Sequence, residues 1–205
     1  MKKKVAVMFD GGFVSKRLKN INKAYPTPED IVELTKRIIL KLDGELFRAY
    51  YYDCSPLSKD MTNPIDNSKM KLSKTDLFKA NKSLIDTLEV TDFFAVRRGT
   101  LTGKGWKLKG DRLEDIVQNN RPLEADDLQP NVNQKGVDMK IGLDIAWIAL
   151  RQVVDTIVLV TGDSDFAPAM KFARKEGIHV VLETLKFHGY RKELKVHSDR
   201  IIDCY

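Results

Sequence analysis

The chain is poor in cysteine, in histidine and in long apolar stretches, and each shortage removes a class of function. Its two cysteines, Cys54 and Cys204, stand far apart with no paired spacing. Neither a zinc ribbon nor a redox dithiol fits them, and two reduced thiols in a cytoplasmic protein are expected. His179, His188 and His197 are spaced too widely for a local metal motif and are expected to pack or to face solvent. No run approaches ~18 uninterrupted apolar residues, so no membrane span is expected. The opening VAVMF stops at Asp10, too soon for the apolar region of a secretory leader. Internal repeats and low-complexity segments are missing as well.

What remains is an ordinary folded composition. A chain of 205 residues is long enough for one sizeable core and short for two, so one domain over 1–205 is expected. The formal net charge is +6, and its placement matters more than its size. Arg97, Arg98, Lys104, Lys107, Lys109 and Arg112 gather in one central stretch, while Lys135, Lys140, Lys171 and Arg174 lie near acids discussed below. Such a distribution suits a polyanionic partner such as RNA, although charge runs are also common on plain solvated surface.

Apolar periodicity and turn residues give a coarse order of elements. Residues 4–9 form a buried strand ended by Gly11-Gly12. Pro28 opens a helix to about Leu42, with Ile31, Leu34, Ile38 and Leu42 as its apolar stripe. Residues 45–52 form an aromatic-rich strand, 53–71 a loop, 73–88 a helix and 93–97 a third strand. The stretch 99–111, GTLTGKGWKLKGD, suggests a basic hairpin. Residues 114–134 lack a period and contain Pro122 and Pro130, so 99–134 is expected to be a basic insertion or mobile flap. From Val137 helix spacing resumes through Ile141, Ile145 and Ile148. Thr156–Val160 suits a central parallel strand, 167–176 a helix ended by Gly177, and 179–182 a fifth strand. The tail around Ile201 suggests a short edge strand. Strands alternating with helices predict a three-layer α/β fold with a mainly parallel central sheet.

In such a sheet ligands bind beyond the carboxyl ends of the strands. Asp10 ends the first strand, and Asp163 and Asp165, in VTGDSDF, follow the strand 156–160. If those strands are neighbours, three acids reach one rim, and Asp138, early in the preceding helix, approaches from the side. Asp144, six residues later, falls on another face of that helix. Crowding is costly: two carboxylates 4 Å apart repel by about 4 kcal/mol at an effective dielectric near 20. A shared proton or a hard divalent cation relieves that repulsion, and such a cation also activates water for phosphodiester attack. Capping accounts for any one of these acids alone. It does not account for the set.

Three pieces resemble the NYN domains, in particular the LabA-like group, of the PIN-like nuclease superfamily: VMFDGG at 7–12, KGVD at 135–138 with Asp144 behind it, and VLVTGDSDF at 158–166. FAPAMKFARKEGIHVVL, 166–182, resembles the family's following helix and strand. The likeness runs from Val5 to about Leu182 and is weakest over 99–134. It implies a PIN-like fold and a Mg²⁺- or Mn²⁺-dependent ribonuclease site, with Asp10, Asp138 and Asp163 as the metal-holding acids and Asp165 beside them in catalysis. Ser164, Lys135, Lys140, Lys104, Trp106 and Lys107 are the candidates for substrate contact, and Thr161 for substrate contact or capping. Where many members carry Asn shortly after the first Asp, this chain has Phe13, so one polar contact is expected to be lost.

Other chemistries fit less well. A haloacid-dehalogenase-type phosphatase needs a second Asp two positions after the first, and Gly12 stands there. The Gly99–Gly105 stretch is too short for a phosphate loop and lacks a Ser or Thr after its Lys. The aromatic run at 50–52 suits packing better than base stacking, whereas Trp106 sits among lysines. The expectation is thus a ribonuclease acting on RNA phosphodiester bonds, with no membrane partner and with homo-oligomers possible. The alternative is a non-catalytic RNA- or protein-binding regulatory module on the same fold.

Overall fold

The structure is a computed structural model and describes residues 2–205. The elements run β1 (Lys3–Asp10), α1 (Gly11–Asn22), α2 (Pro28–Lys41), β2 (Gly44–Cys54), β3 (Asp60–Thr62), β4 (Lys69–Lys71), α3 (Asp76–Glu89) and β5 (Phe94–Leu108). There follow α4 (Arg112–Gln118), β6 (Leu128–Lys135), α5 (Val137–Arg151), β7 (Thr156–Val160), α6 (Ala167–Lys175), β8 (His179–Glu183), α7 (Lys192–Val196) and β9 (Arg200–Ile202). A seven-stranded sheet carries the order β6-β5-β2-β1-β7-β8-β9. Only β6 is antiparallel to its neighbour.

β1 and β7 lie mid-sheet, which is why Val5 to Phe9 and Thr156 to Val160 are buried without a polar break. Alternation along β1 divides the core. Val5, Val7 and Phe9 meet α1, α2 and α3 on one side, through Val14 and Leu18, Ile31 and Ile38, and Leu84 and Leu88. Ala6 and Met8 meet Ile141, Ile145 and Ile148 of α5, Met170 of α6 and Leu194 of α7 on the other. The result is the three-layer α/β, PIN-like architecture. Thr27 caps α2 with a full capping box, its hydroxyl accepting from Asp30 N and the Asp30 carboxylate accepting from Thr27 N.

Three segments differ from the sequence expectation. The Gly11-Gly12 pair does not merely end a strand; it begins α1, whose Lys- and Asn-rich surface hides a narrow apolar contact made by Val14 and Leu18. The stretch 99–111 is not a self-contained hairpin. It is the far half of β5, paired from Thr100 to Leu108 with β6, and β6 lies in the stretch where no period was evident. β5 pairs with β2 only as far as Gly99 opposite Cys54, so this two-stranded ribbon continues past the carboxyl rim. The connection at its far end is ordered by ion pairs: Arg121 holds Asp127 at 2.7 Å and Asp115 at 2.6 Å. Within 53–71, β3 and β4 form a small antiparallel hairpin that props the ribbon, with Trp106 Nε1 donating to the Thr62 carbonyl at 2.8 Å.

Candidate active site

The chain builds the sheet outward from β1 in both directions, first through β2 and β5 and later through β7, β8 and β9. The order therefore reverses between β1 and β7, and such a switch point opens a crevice beyond the strand ends. Phe9 pairs with Val160 across it, so the next residues of both strands emerge side by side. Asp10 serves as the N-cap of α1, its Oδ1 accepting from Phe13 N at 3.2 Å. Asp163 caps the 3-10 turn Ser164–Phe166, accepting from Asp165 N at 3.0 Å. Capping thus fixes where each carboxylate sits without exhausting its oxygens.

Thr161 links the two. Fully buried, its hydroxyl donates to Asp10 Oδ2 at 2.9 Å and accepts from Asp163 N at 3.1 Å. One side chain sets the spacing of both strand-end acids. Asp138 enters from the first turn of α5, after Gly136 in a left-handed conformation (φ 79°) that turns β6 into the helix. The acids feel one another. Burial raises the pKa of Asp10, the bonds from Thr161 and Phe13 N oppose that rise, and the charges of Asp138 and Asp163 add to it. Partial desolvation raises Asp138, and Asp163 and then Asp165 push it further. Acids from β1, from α5 and from the turn after β7 thus act on one another: Asp138 and Asp163 on Asp10, and Asp163 and Asp165 on Asp138.

A fifth acid joins them that sequence reasoning missed. Asp53, expected from the sequence to open a loop, is the penultimate residue of β2 and only 4% exposed. Its Oδ1 accepts from Cys54 N at 2.7 Å and from Gln134 Nε2 of β6 at 3.3 Å. Burial, with a smaller contribution from Asp10, pushes its pKa up to about 6. The signal was present: AYYYDC repeats the pattern of VAVMFD, an apolar run ending in Asp at the same rim. Gly11 admits this carboxyl, since a Cβ there would lie 2.8 Å from Asp53 Cβ and 2.6 Å from the Tyr52 carbonyl.

Phe13 explains the departure from the family pattern. Its ring packs edge-on against Phe187 at 5.8 Å, and Arg17 lies over the same Phe187 ring while donating to the Leu185 carbonyl. An added Cβ on Gly162 would sit 2.6 Å from Phe13 and 2.8 Å from Phe187. The glycine of TGDSD is therefore required by an aromatic wall beside the acids.

The other candidates are spread more widely. Ser164 opens the 3-10 turn, half-buried. Lys135 ends β6, exposed, and Lys140 donates to the Arg98 carbonyl. Lys104 and Lys107 are exposed on the projecting ribbon, with Trp106 half-buried between them. Asp144 points elsewhere: it receives a two-point bond from Arg97 at 2.9 and 3.0 Å and one from Tyr52 Oη at 3.0 Å. Arg98 pairs with Asp86 and Glu89. Of the central basic residues, Lys104, Lys107 and Lys109 are those without an acidic partner among the described residues.

The donors at the rim are carboxylate oxygens, which match a hard divalent cation. Among the described residues, no three His, Cys, Asp or Glu side chains close around a metal ion by themselves. Mg²⁺ does not need such a cage, since it commonly uses one or two carboxylates with water and substrate phosphate. An open, mutually repelling group of acids fits that coordination better than the six to eight oxygens of a Ca²⁺ site.

Comparison with known proteins identifies the family and the fold. The NYN domain family model matches residues 4–204, and the chain belongs to the NYN family, whose fold is of the PIN-like nuclease type. Among solved structures, the chain is similar to a protein of unknown function, VPA0982, from Vibrio parahaemolyticus RIMD 2210633. The TM-score is 0.54 and the identity 14%, with all of this chain and 94% of that one covered. That likeness is one of fold. No curated protein matches the chain.

Proposed function

We propose that this NYN protein, of the LabA-like group, is a ribonuclease that hydrolyses RNA phosphodiester bonds with Mg²⁺ or Mn²⁺. The observation supporting this most directly is the Thr161 bridge between Asp10 and Asp163, with Asp138 close enough to raise Asp10. Asp10, Asp138 and Asp163 would hold the cation. Bound there, it supplies positive charge against the phosphate oxygens and lowers the pKa of water.

The chain's own groups do the rest. Asp165, exposed beside the cluster, accepts a hydrogen bond from the attacking water and orients it. Asp10, held from two sides, keeps the geometry fixed while charge develops. Lys104 and Lys107 contact phosphates along the ribbon, Trp106 offers an edge for a base, and Lys135 and Ser164 meet the strand near the acids. Lys140, already bonded to the Arg98 carbonyl, contributes mainly charge.

Purified protein should cut single-stranded RNA in Mn²⁺ or Mg²⁺ and lose that activity in chelator and on Asp163→Asn. The exposed Lys104, Lys107 and Lys109 of the projecting ribbon also suit a second reading, a non-catalytic RNA- or protein-binding regulatory module on the same fold. RNA retained in a gel shift, without products under any metal condition, would establish that reading instead.

A further inference from the structure

α5 is apolar on two opposite sides. Ile141, Ile145, Ile148 and Ala149 are buried against the sheet. Met139, Leu143, Trp147 and Leu150 point away from it and are 71%, 62%, 52% and 62% exposed. At about 100° per residue these four fall within an arc of about 80°. A helix apolar on both sides is ordinarily buried on both. Beside the stripe runs a groove of about 750 Å³, walled by Phe47 and Tyr50 of β2, Ala95 of β5, and Leu143, Trp147 and Leu150. On the opposite side of the sheet α3 packs over this edge. On the α5 side, among the described residues, α5 is the outermost helix and the groove lies open past it.

We propose that this face is a self-association surface, occupied by the same face of a second copy of the chain. A two-fold interface requires a patch that is its own complement. A projecting Trp147 ridge next to an apolar groove meets that requirement, because each copy offers both ridge and hollow. Antiparallel α5 helices set Leu143 of one copy against Trp147 of the other and oppose the helix dipoles. The area is adequate: the four side chains expose on the order of 400 Å², comparable to the largest patch of a typical monomer. Doubled, and extended by the groove walls, this approaches the ~1,200 Å² at which stable interfaces begin. Charge argues against a polyanionic occupant. Arg97 at the groove is already neutralised by Asp144, which leaves Arg48 at the edge.

Light scattering coupled to size exclusion, over a dilution series in the micromolar range, tests the proposal. The wild type is expected at twice the mass of one chain, falling toward a monomer on dilution. Leu143→Glu and Trp147→Glu should each be monomeric throughout with an unchanged circular dichroism spectrum, while Trp147→Phe retains the dimer. Val117→Glu, on exposed α4, should match the wild type. If the glutamate variants lose structure, Leu150→Lys at the end of the stripe is expected to give a folded monomer. A wild type monomeric at all concentrations overturns the proposal, even if this face then binds vesicles or another protein. A dimer of wild-type affinity in all the stripe variants overturns it too.

Discussion

Asp53 permits a quantitative test of how the rim is built. It is 4% exposed, and its pKa stands at about 6 against an ordinary 3.8. The cause is burial first, offset by the Cys54 N bond and increased by Asp10. A folded pKa above the unfolded one means that the native state holds the proton more tightly. This group's favourable contribution is full below about 3.8 and is lost as the pH rises through about 6. At 1.36 kcal/mol per unit, a shift of a little over two units costs the folded protein about 3 kcal/mol at neutral pH. Asp53→Asn keeps an oxygen to accept from Cys54 N and Gln134 and removes the charge. It should stabilise the protein by up to about 3 kcal/mol near pH 7.5 and change little near pH 4. Urea unfolding in chelator at several pH values measures the difference. A variant equal to or weaker than the wild type at pH ~7.5 would refute the reasoning, because Asp53 would then be stabilised as a carboxylate.

Three further outcomes follow from the same geometry. Thr161→Val should cost about 1.5–3 kcal/mol in urea unfolding, the range for a hydrogen bond to a charged group, whereas Thr161→Ser should keep most of it; an unaffected Val variant would mean that the bridge is idle. Gly162→Ala should lower stability by about 1–3 kcal/mol by overpacking, with near-ultraviolet dichroism reporting displacement of Phe13 and Phe187; an unchanged melting temperature would contradict the close contact. Lys104→Glu with Lys107→Glu should weaken RNA binding and flatten its salt dependence by about 0.7 per lost phosphate contact on a single strand; unchanged affinity and slope would remove the ribbon from the binding surface.

Much of the fold was legible because central parallel strands must be apolar on both faces. VAVMF and TIVLV therefore stand out, and the helix stripes of α2 and α5 have clear spacing. The strand ends point to a shared rim for Asp10 and Asp163 when β1 and β7 are adjacent, and the Thr161 bridge joins those two. What escaped has physical reasons. α1 buries little more than Val14 and Leu18, too narrow a stripe to register among lysines. The ribbon of β5 and β6 stands past the rim with both faces partly solvated, so no strong alternation is imposed on it, and its glycines and prolines imitate loop. Asp53 lay at an element boundary, the place where local pattern is weakest. Thr161 could be named but not assigned, because its two bonds depend on the register of β1 against β7 and not on any spacing in the chain.

Everything about the site rests on carboxylates from β1, α5 and the β7 turn sharing one divalent ion. A crystal soaked in Mn²⁺, with anomalous scattering recorded, addresses that directly. We expect one strong peak at the rim beside Asp10, Asp138 and Asp163, and loss of that peak in Asp163→Asn. A rim without manganese in the wild type, at concentrations that occupy other surface carboxylates, would contradict it.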